Sequence, residues 1–428
     1  MKRILLTLLA VVLLVPALLI GIQHLYDPGS DQASPPVSDK DQQLVQGSYL
    51  ARAGNCMGCH TARGGKQYAG GRPISTPFGN IFTSNLTPDE TGLGKWTNDD
   101  FWRAMHNGKS KDGSFLYPAF PYPNYTKVTR ADSDALFAYF KTLAPAKQEN
   151  QKHDLRFPYN QRILLAFWRT LYFSPGEYQS QPSQSAEWNR GAYLVQGLGH
   201  CSACHTSRNA LGGSIAEERL GGGMIPMQNW YASALTADKQ TGLGEWEEKD
   251  IADLLKTGVS QRGAVFGPMA DVVSTSLQHL SSSDIQSMAT YLKTVARSTD
   301  TQSGNRSVAA AVAGDNEVLK QGAKLYEQQC VTCHGADGKG APPAYPPLAG
   351  NRSLAAEIAM NPVRIVLNGG YPPGTAGNPR PYGMPPFGST LSDSEVAAVV
   401  TYIRTSWGNQ GWPVSPDYVT RLRGAPVE

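Results

Sequence analysis

No cysteine in this 428-residue chain stands alone. There are 6, falling as Cys56/Cys59, Cys201/Cys204 and Cys330/Cys333, so none is left for a long-range disulfide or a solitary thiol nucleophile. Charge is also scarce: 17% of residues are charged, below the roughly 25% of an average protein, and net charge is only +3. That balance gives no basis for a nucleic-acid partner and suits a surface that meets proteins or a membrane. Paired carboxylates, a nucleophile with its base, and a phosphate-binding loop are missing too.

What is present is one motif, three times. Each cysteine pair has a two-residue spacer and is followed at once by a histidine: His60, His205 and His334. A zinc ribbon brings two such pairs to one metal and needs no adjacent histidine. A redox dithiol needs one pair beside a βαβ pattern, not three copies. C-x-x-C-H supplies two thioether bonds and one iron ligand, the pattern of covalent haem c. The spacing therefore predicts three covalent haems c. The glycines in "GGKQYAGG" and "GKGAPP" suit close backbone approach to such a macrocycle.

The amino terminus reads "MKRILLTLLAVVLLVPALLIGI", with Lys2 and Arg3 ahead of 19 uncharged residues from Ile4 to Ile22. A cleaved signal has an apolar core of about 7–15 residues, so this longer run over residues 1–25 reads as a retained membrane anchor, with a cleaved signal segment as the alternative; either exports the chain. Its cationic end stays cytoplasmic and the rest is exported. Haem is attached to c-type cytochromes outside the cytoplasmic membrane, so the two signals agree on the periplasmic side.

The surrounding sequence repeats with the motif. Gly47-Ser48-Tyr49-Leu50, Gly191-Ala192-Tyr193-Leu194 and Gly322-Ala323-Lys324-Leu325 precede the three haem motifs. Copies one and two share "TGLGKW" and "TGLGEW" around Trp96 and Trp246. Each copy closes on a capping signal, Thr129-x-x-Asp132, Ser281-x-x-Asp284 or Ser392-x-x-Glu395, ahead of a helix carrying Tyr139, Tyr291 or Tyr402. The expected architecture is all-α: three tandem cytochrome c domains at 40–145, 187–296 and 317–410. Residues 146–186 form a linker with an aromatic-rich helix at Ile163–Phe173, expected to pack on a neighbouring domain. Residues 297–316 read as a flexible linker and 411–428 as a tail.

Iron in electron-transfer cytochromes commonly takes methionine as sixth ligand, which raises its potential. "RPYGMPPFG" offers Met384 and "VFGPMADVV" offers Met269; Met224, Met227 and Met360 come too early in their copies. The first copy breaks the pattern. Its loop reads "LYPAFPYPNY", with Phe120 where the sulfur belongs. Three readings stay open there: ligation by His106, ligation by Met105, or an open iron. Aligning "FWRAMHNG" with "IADLLKTG" places Met105 on Leu255, a core-facing position, and His106 beside it.

Over nearly its whole length the chain resembles the three-haem cytochrome c subunits of bacterial membrane-bound dehydrogenases. "YLARAGNCMGCHT", "AYLVQGLGHCSACHTSRNALGG", "CVTCHGADGKGAPPAYPPLAG" and "YGMPPF" carry the likeness, and Phe120 departs from the "YPAMPY" of that family. The resemblance implies a partner catalytic subunit (quinoprotein, flavoprotein or molybdenum-containing). It implies electron delivery to membrane ubiquinone or a terminal oxidase, His60, His205 and His334 as proximal ligands, and Met269 and Met384 as distal ones. Two rivals are a freestanding or oxidase-linked electron shuttle and a peroxidase. The latter would use an open first haem served by Arg103, His106 and Glu90.

Overall fold

The computed structural model describes residues 14, 15, 17–29, 32–239, 241–296 and 316–425. Helix accounts for 43% of the chain, above the 30–35% of ordinary globular proteins. The three sequence copies are built from the same parts. An opening helix (Lys40–Ala53, Ala186–Gln196 or Asn316–Gln329) leads to a one-turn helix at the cysteine pair (Cys56–Cys59, Ser202–His205 or Val331–His334). A middle helix follows (Asn98–Asn107, Glu248–Thr257 or Met360–Asn368), then a closing helix (Arg130–Thr142, Ser282–Leu292 or Asp393–Thr405).

The closing helices start at the capping residues. The hydroxyls of Thr129, Ser281 and Ser392 accept from the backbone N–H groups of Asp132, Asp284 and Glu395, satisfying amides that have no partner within the helix. Opening and closing helices then cross at the repeated glycines. A Cβ on Gly47, Gly191 or Gly322 would overlap the carbonyl of Ala135, Ser287 or Ala398, with Tyr139, Tyr291 or Tyr402 next in contact. Backbones this close require a residue with no side chain.

The all-α expectation is corrected in one respect. After the first motif, Pro73–Thr76 and Gly79–Phe82 pair antiparallel, with Asp154–Leu155 added at the edge. After the second, Gly223–Ile225 pairs with Trp230–Ala232, and Val259–Ser260 pairs with Gly263–Ala264. Long loops meet their backbone hydrogen-bond requirement by folding back as hairpins, which alternation too short to register does not announce.

The chain divides into two compact units, and the division cuts through the second copy. Unit 1 comprises Met1–Ser183, Tyr193–Ala203 and Asn209–Ser214. Within it the linker helix, Leu165–Tyr172, packs as expected: Leu165 and Ala166 join Phe115 and Ile20 in a small core. Unit 2 holds the rest, including a core of Val363, Val396, Val400, Ile403 and Val419 in the third copy. The expected tail folds as well: Pro416–Arg423 is a helix capped by Ser415, and Arg423 pairs with Asp393 at 2.7 Å. Among the described residues no helix is long and apolar enough to cross a membrane. Residues 1–13 of the apolar run, and the linker 297–315, lie outside the described residues.

Candidate haem sites

Each cysteine pair sits on a turn launched abruptly from its opening helix. In copies one and two the launching residue is left-handed, Asn55 at φ 47° and His200 at φ 38°. The one-turn helix then sets the histidine directly after the second cysteine: His60 N–H donates to the Cys56 carbonyl at 2.9 Å, and His334 N–H to that of Cys330 at 3.0 Å. Burial, and the charge of Cys59 beside it, push the Cys56 thiol up to about 12.

The three histidines are held alike. Nδ1 of His60 lies 2.7 Å from the Ser84 carbonyl, Nδ1 of His205 lies 2.6 Å from that of Ser233, and Nδ1 of His334 lies 3.0 Å from that of Pro346. A carbonyl only accepts, so Nδ1 carries the proton and donates, and the lone pair stands on Nε2. Burial lowers all three imidazoles, His205 to about 4, and keeps them in the neutral form that binds metal. At His205 the cation of Arg352 adds to this; its Nη1 donates to the Ala234 carbonyl at 2.7 Å, beside Ser233, and its guanidinium lies 4.9 Å over Trp246.

Ser84, Ser233 and Pro346 went unread in the sequence because a backbone carbonyl has no residue signature. The hairpins deliver two of them. Ser84 comes two residues after the strand Gly79–Phe82, and Ser233 directly after Trp230–Ala232. Matching bridges, Thr61 to Gly70 and Thr206 to Gly222, close the loop behind each motif.

Met360 is buried in the third core, Met224 and Met384 both pack against that core, and Met227 is exposed. Met384 lies on a two-hydrogen-bond bridge to Gly370 (2.8 and 3.0 Å), and Met269 is the second residue of the helix Pro268–Thr275. In the first copy Phe120 occupies the turn closed by its N–H to the Tyr117 carbonyl, at 3.0 Å.

The His106 ring stacks on Trp102 at 4.4 Å, its Nδ1 lies 3.5 Å from the Thr126 hydroxyl, and its Nε2 would lie 3.4 Å from a Cβ placed on Gly29. Burial pulls its pKa down to about 4. Met105, beside it, is buried too. The residues a peroxidase would need are dispersed in their contacts: Arg103 donates to Asp100 and to the Lys111 carbonyl, while Glu90 pairs with Lys95 in the open.

Two thiols on one turn, with a neutral imidazole next to them offering Nε2, are the donor set that covalent haem c requires, and the chain builds it three times. The fold and these turns define a c-type cytochrome. The Cytochrome c family model matches residues 44–144 and 319–407. The cytochrome c subunit of the quinone alcohol dehydrogenase of Gluconacetobacter polyoxogenes is 40% identical, over 91% of this chain and 86% of that protein. The gluconate 2-dehydrogenase cytochrome c subunit of Pantoea cypripedii is 41% identical, over 92% and 90%. The fructose dehydrogenase cytochrome subunit of Gluconobacter japonicus is 34% identical, over 91% and 84%. The chain belongs to the cytochrome c family, among the cytochrome c subunits of bacterial dehydrogenases.

Proposed function

We propose that this chain is a three-haem, three-domain electron-transfer subunit that takes electrons from a separate catalytic dehydrogenase. It passes them to membrane ubiquinone or a terminal oxidase on the periplasmic face of the cytoplasmic membrane. The observation that carries the reading is the threefold recurrence of one donor set, each with its histidine Nδ1 tied to a carbonyl. Haem bound there supplies one-electron exchange between ferrous and ferric iron.

The chain's own residues do the rest. Cys56, Cys59, Cys201, Cys204, Cys330 and Cys333 anchor the three groups, and His60, His205 and His334 offer Nε2 as proximal ligands. Met269 and Met384 serve as distal donors that favour the ferrous state. His106 holds the amino-terminal segment by packing against Trp102 and Gly29, and the first site keeps no methionine partner on the Phe120 loop. Residues 1–25 hold the chain at the membrane.

The test is purification of the native complex followed by a screen of alcohols, aldehydes, sugars and aromatic N-heterocycles for haem reduction. Intact mass should show three haems, and Cys201→Ala with Cys204→Ala should leave two. Met384→Ala should weaken the far-red sulfur–iron absorption and lower one midpoint potential. A chain that purifies without a catalytic subunit, and whose haems no such substrate reduces in the native membrane, favours the freestanding shuttle instead.

A further inference from the structure

Unit 1 carries three rings in succession between the first attachment turn and the second. Phe120 lies 5.2 Å from Tyr125, centroid to centroid, and Tyr125 lies 5.6 Å from His200. Phe120 holds the ligand-loop position of the first copy, and His200 directly precedes Cys201. The middle ring is the best enclosed. Tyr125 is buried, and its hydroxyl lies 3.4 Å from the carbonyl of Gly54, two residues before Cys56.

Leu198, three residues before Cys201, comes close to Gly54, two residues before Cys56. A Cβ on Gly54 would lie 3.3 Å from the Cys56 Sγ and 3.4 Å from Leu198 Cδ2. One on Gly199, the next residue after Leu198, would lie 3.5 Å from the Cys201 Sγ. Leu198 itself is fully buried. Nothing in an ordinary core requires that the segment after the Phe120 loop be bolted to the second attachment turn, yet it is. The Asn124 amide donates to the Gln196 carbonyl at 3.0 Å and to the Ser202 hydroxyl at 2.8 Å, and Ser202 is the first residue inside the second C-x-x-C-H. Nearby, the Tyr193 hydroxyl accepts from the Thr129 N–H at 3.2 Å and donates to Asp132 at 2.5 Å.

We propose that the buried Tyr125–His200 ring pair, clamped by Asn124, is the conducting contact between the haem held by Cys56 and Cys59 and the haem held by Cys201 and Cys204. This rests on the reading that both motifs carry haem. One electron leaves a ferrous centre, which becomes ferric, and arrives at a ferric centre, which becomes ferrous. No proton moves, no bond forms or breaks, and neither ring is oxidised. Electronic coupling decays steeply across empty or water-filled gaps and more slowly through packed atoms, and rigid aromatic rings fill such a gap with few rotors to order. Asn124 is a positioning residue: it holds the two turns in register.

Intramolecular electron equilibration after flash photoreduction of the purified, haem-loaded full chain tests this, with haem content by mass and midpoint potentials measured alongside. Tyr125→Phe keeps the ring and should keep the rate. Tyr125→Leu and His200→Asn should each slow exchange between the first two haems severalfold, with midpoint potentials and haem count unchanged, and Asn124→Ala should slow it less. Where Tyr125→Leu fails to fold, His200→Asn decides, since that ring is only half-buried and asparagine tolerates the left-handed backbone there. Unchanged rates in fully loaded His200→Asn overturn the bridge and leave the proposed function standing. Wild-type chain lacking haem at Cys56 or at Cys201 overturns both together.

Discussion

Phe120 stands where the other copies place Met269 and Met384, and a phenyl ring offers iron no lone pair. His106 has its Nδ1 3.5 Å from the Thr126 hydroxyl and its ring stacked on Trp102. If those contacts persist when haem is bound, the first iron would have no donor from His106. Carbon monoxide should bind one reduced haem of the wild type, and Phe120→Met should abolish that binding while raising one midpoint potential. Three methionine-type far-red bands in wild type would instead assign the third sulfur to Met105. His106 also makes an acid-stability prediction. Burial holds it at about 4 against an ordinary 6.5. Between those values the unfolded chain takes up a proton that the folded chain refuses, so stability present above pH 6.5 is lost as pH falls towards 4. Denaturant unfolding at pH 7 and at pH 4.5 should show a smaller acid loss in His106→Phe than in wild type. Equal losses would place the proton elsewhere, and a changed haem spectrum in the variant would return His106 to the iron.

At the scale of elements, the glycine–tyrosine frames that repeat in the sequence turn out to be the crossing points of opening and closing helices. Gly191→Ala forces a methyl against the Ser287 carbonyl, where neither backbone has room to retreat. It should destabilise the fold by about 1–3 kcal/mol, while Gly374→Ala, at a position with nothing within 4 Å, should be near neutral. Thermal or denaturant unfolding of the two variants makes the comparison, and equal stability would refute the close-crossing argument. Such frames were legible because they depend on residue type: glycine where nothing else fits, serine or threonine where an amide needs a cap. The same holds for the cysteine pairs and their histidines. The hairpins and the carbonyls of Ser84, Ser233 and Pro346 were not legible, since they depend on where a backbone goes, which any residue permits. The contacts of His106 with Trp102 and Thr126 were not legible for a related reason: they depend on where separate elements meet, which spacing along the chain does not announce.

At the scale of the whole molecule, the amino terminus joins the proposed anchor to the first unit, and the join has its own chemistry. Ile20 packs into the small core of Phe115, Leu165 and Ala166, while Leu14, Leu18 and Leu25 stay exposed. Beyond it, Gln23 accepts from Arg169 at 3.2 Å and donates to Thr170 at 3.2 Å. Asp27 pairs at 2.6 Å with Lys109, a side chain only 2% exposed, which also donates to the carbonyls of His24 and Tyr26. Burial lowers the Lys109 pKa, and the hydrogen bond and charge of Asp27 oppose that shift. Two truncations should therefore behave differently. Replacing residues 1–13 with a cleavable export signal takes Ile4 to Leu13 of the apolar run, keeps the chain on the haem-attaching side and leaves every one of these contacts; the chain should move from the membrane fraction to the soluble one with its unfolding midpoint unchanged. Removing residues 1–34 behind the same export signal strips Lys109 of Asp27 and of the His24 and Tyr26 carbonyls, and takes Gln23 from Arg169, which keeps the Asn107 carbonyl. Leaving a buried charge unpaired costs about 3–5 kcal/mol, and the partial exposure of Asp27 puts this case toward the low end. That second chain should unfold earlier and retain less haem by mass. Membrane association that survives the shorter truncation would show that anchoring does not depend on residues 1–13, and equal stability of the two truncated chains would show that the Asp27–Lys109 pair does not hold the segment in place.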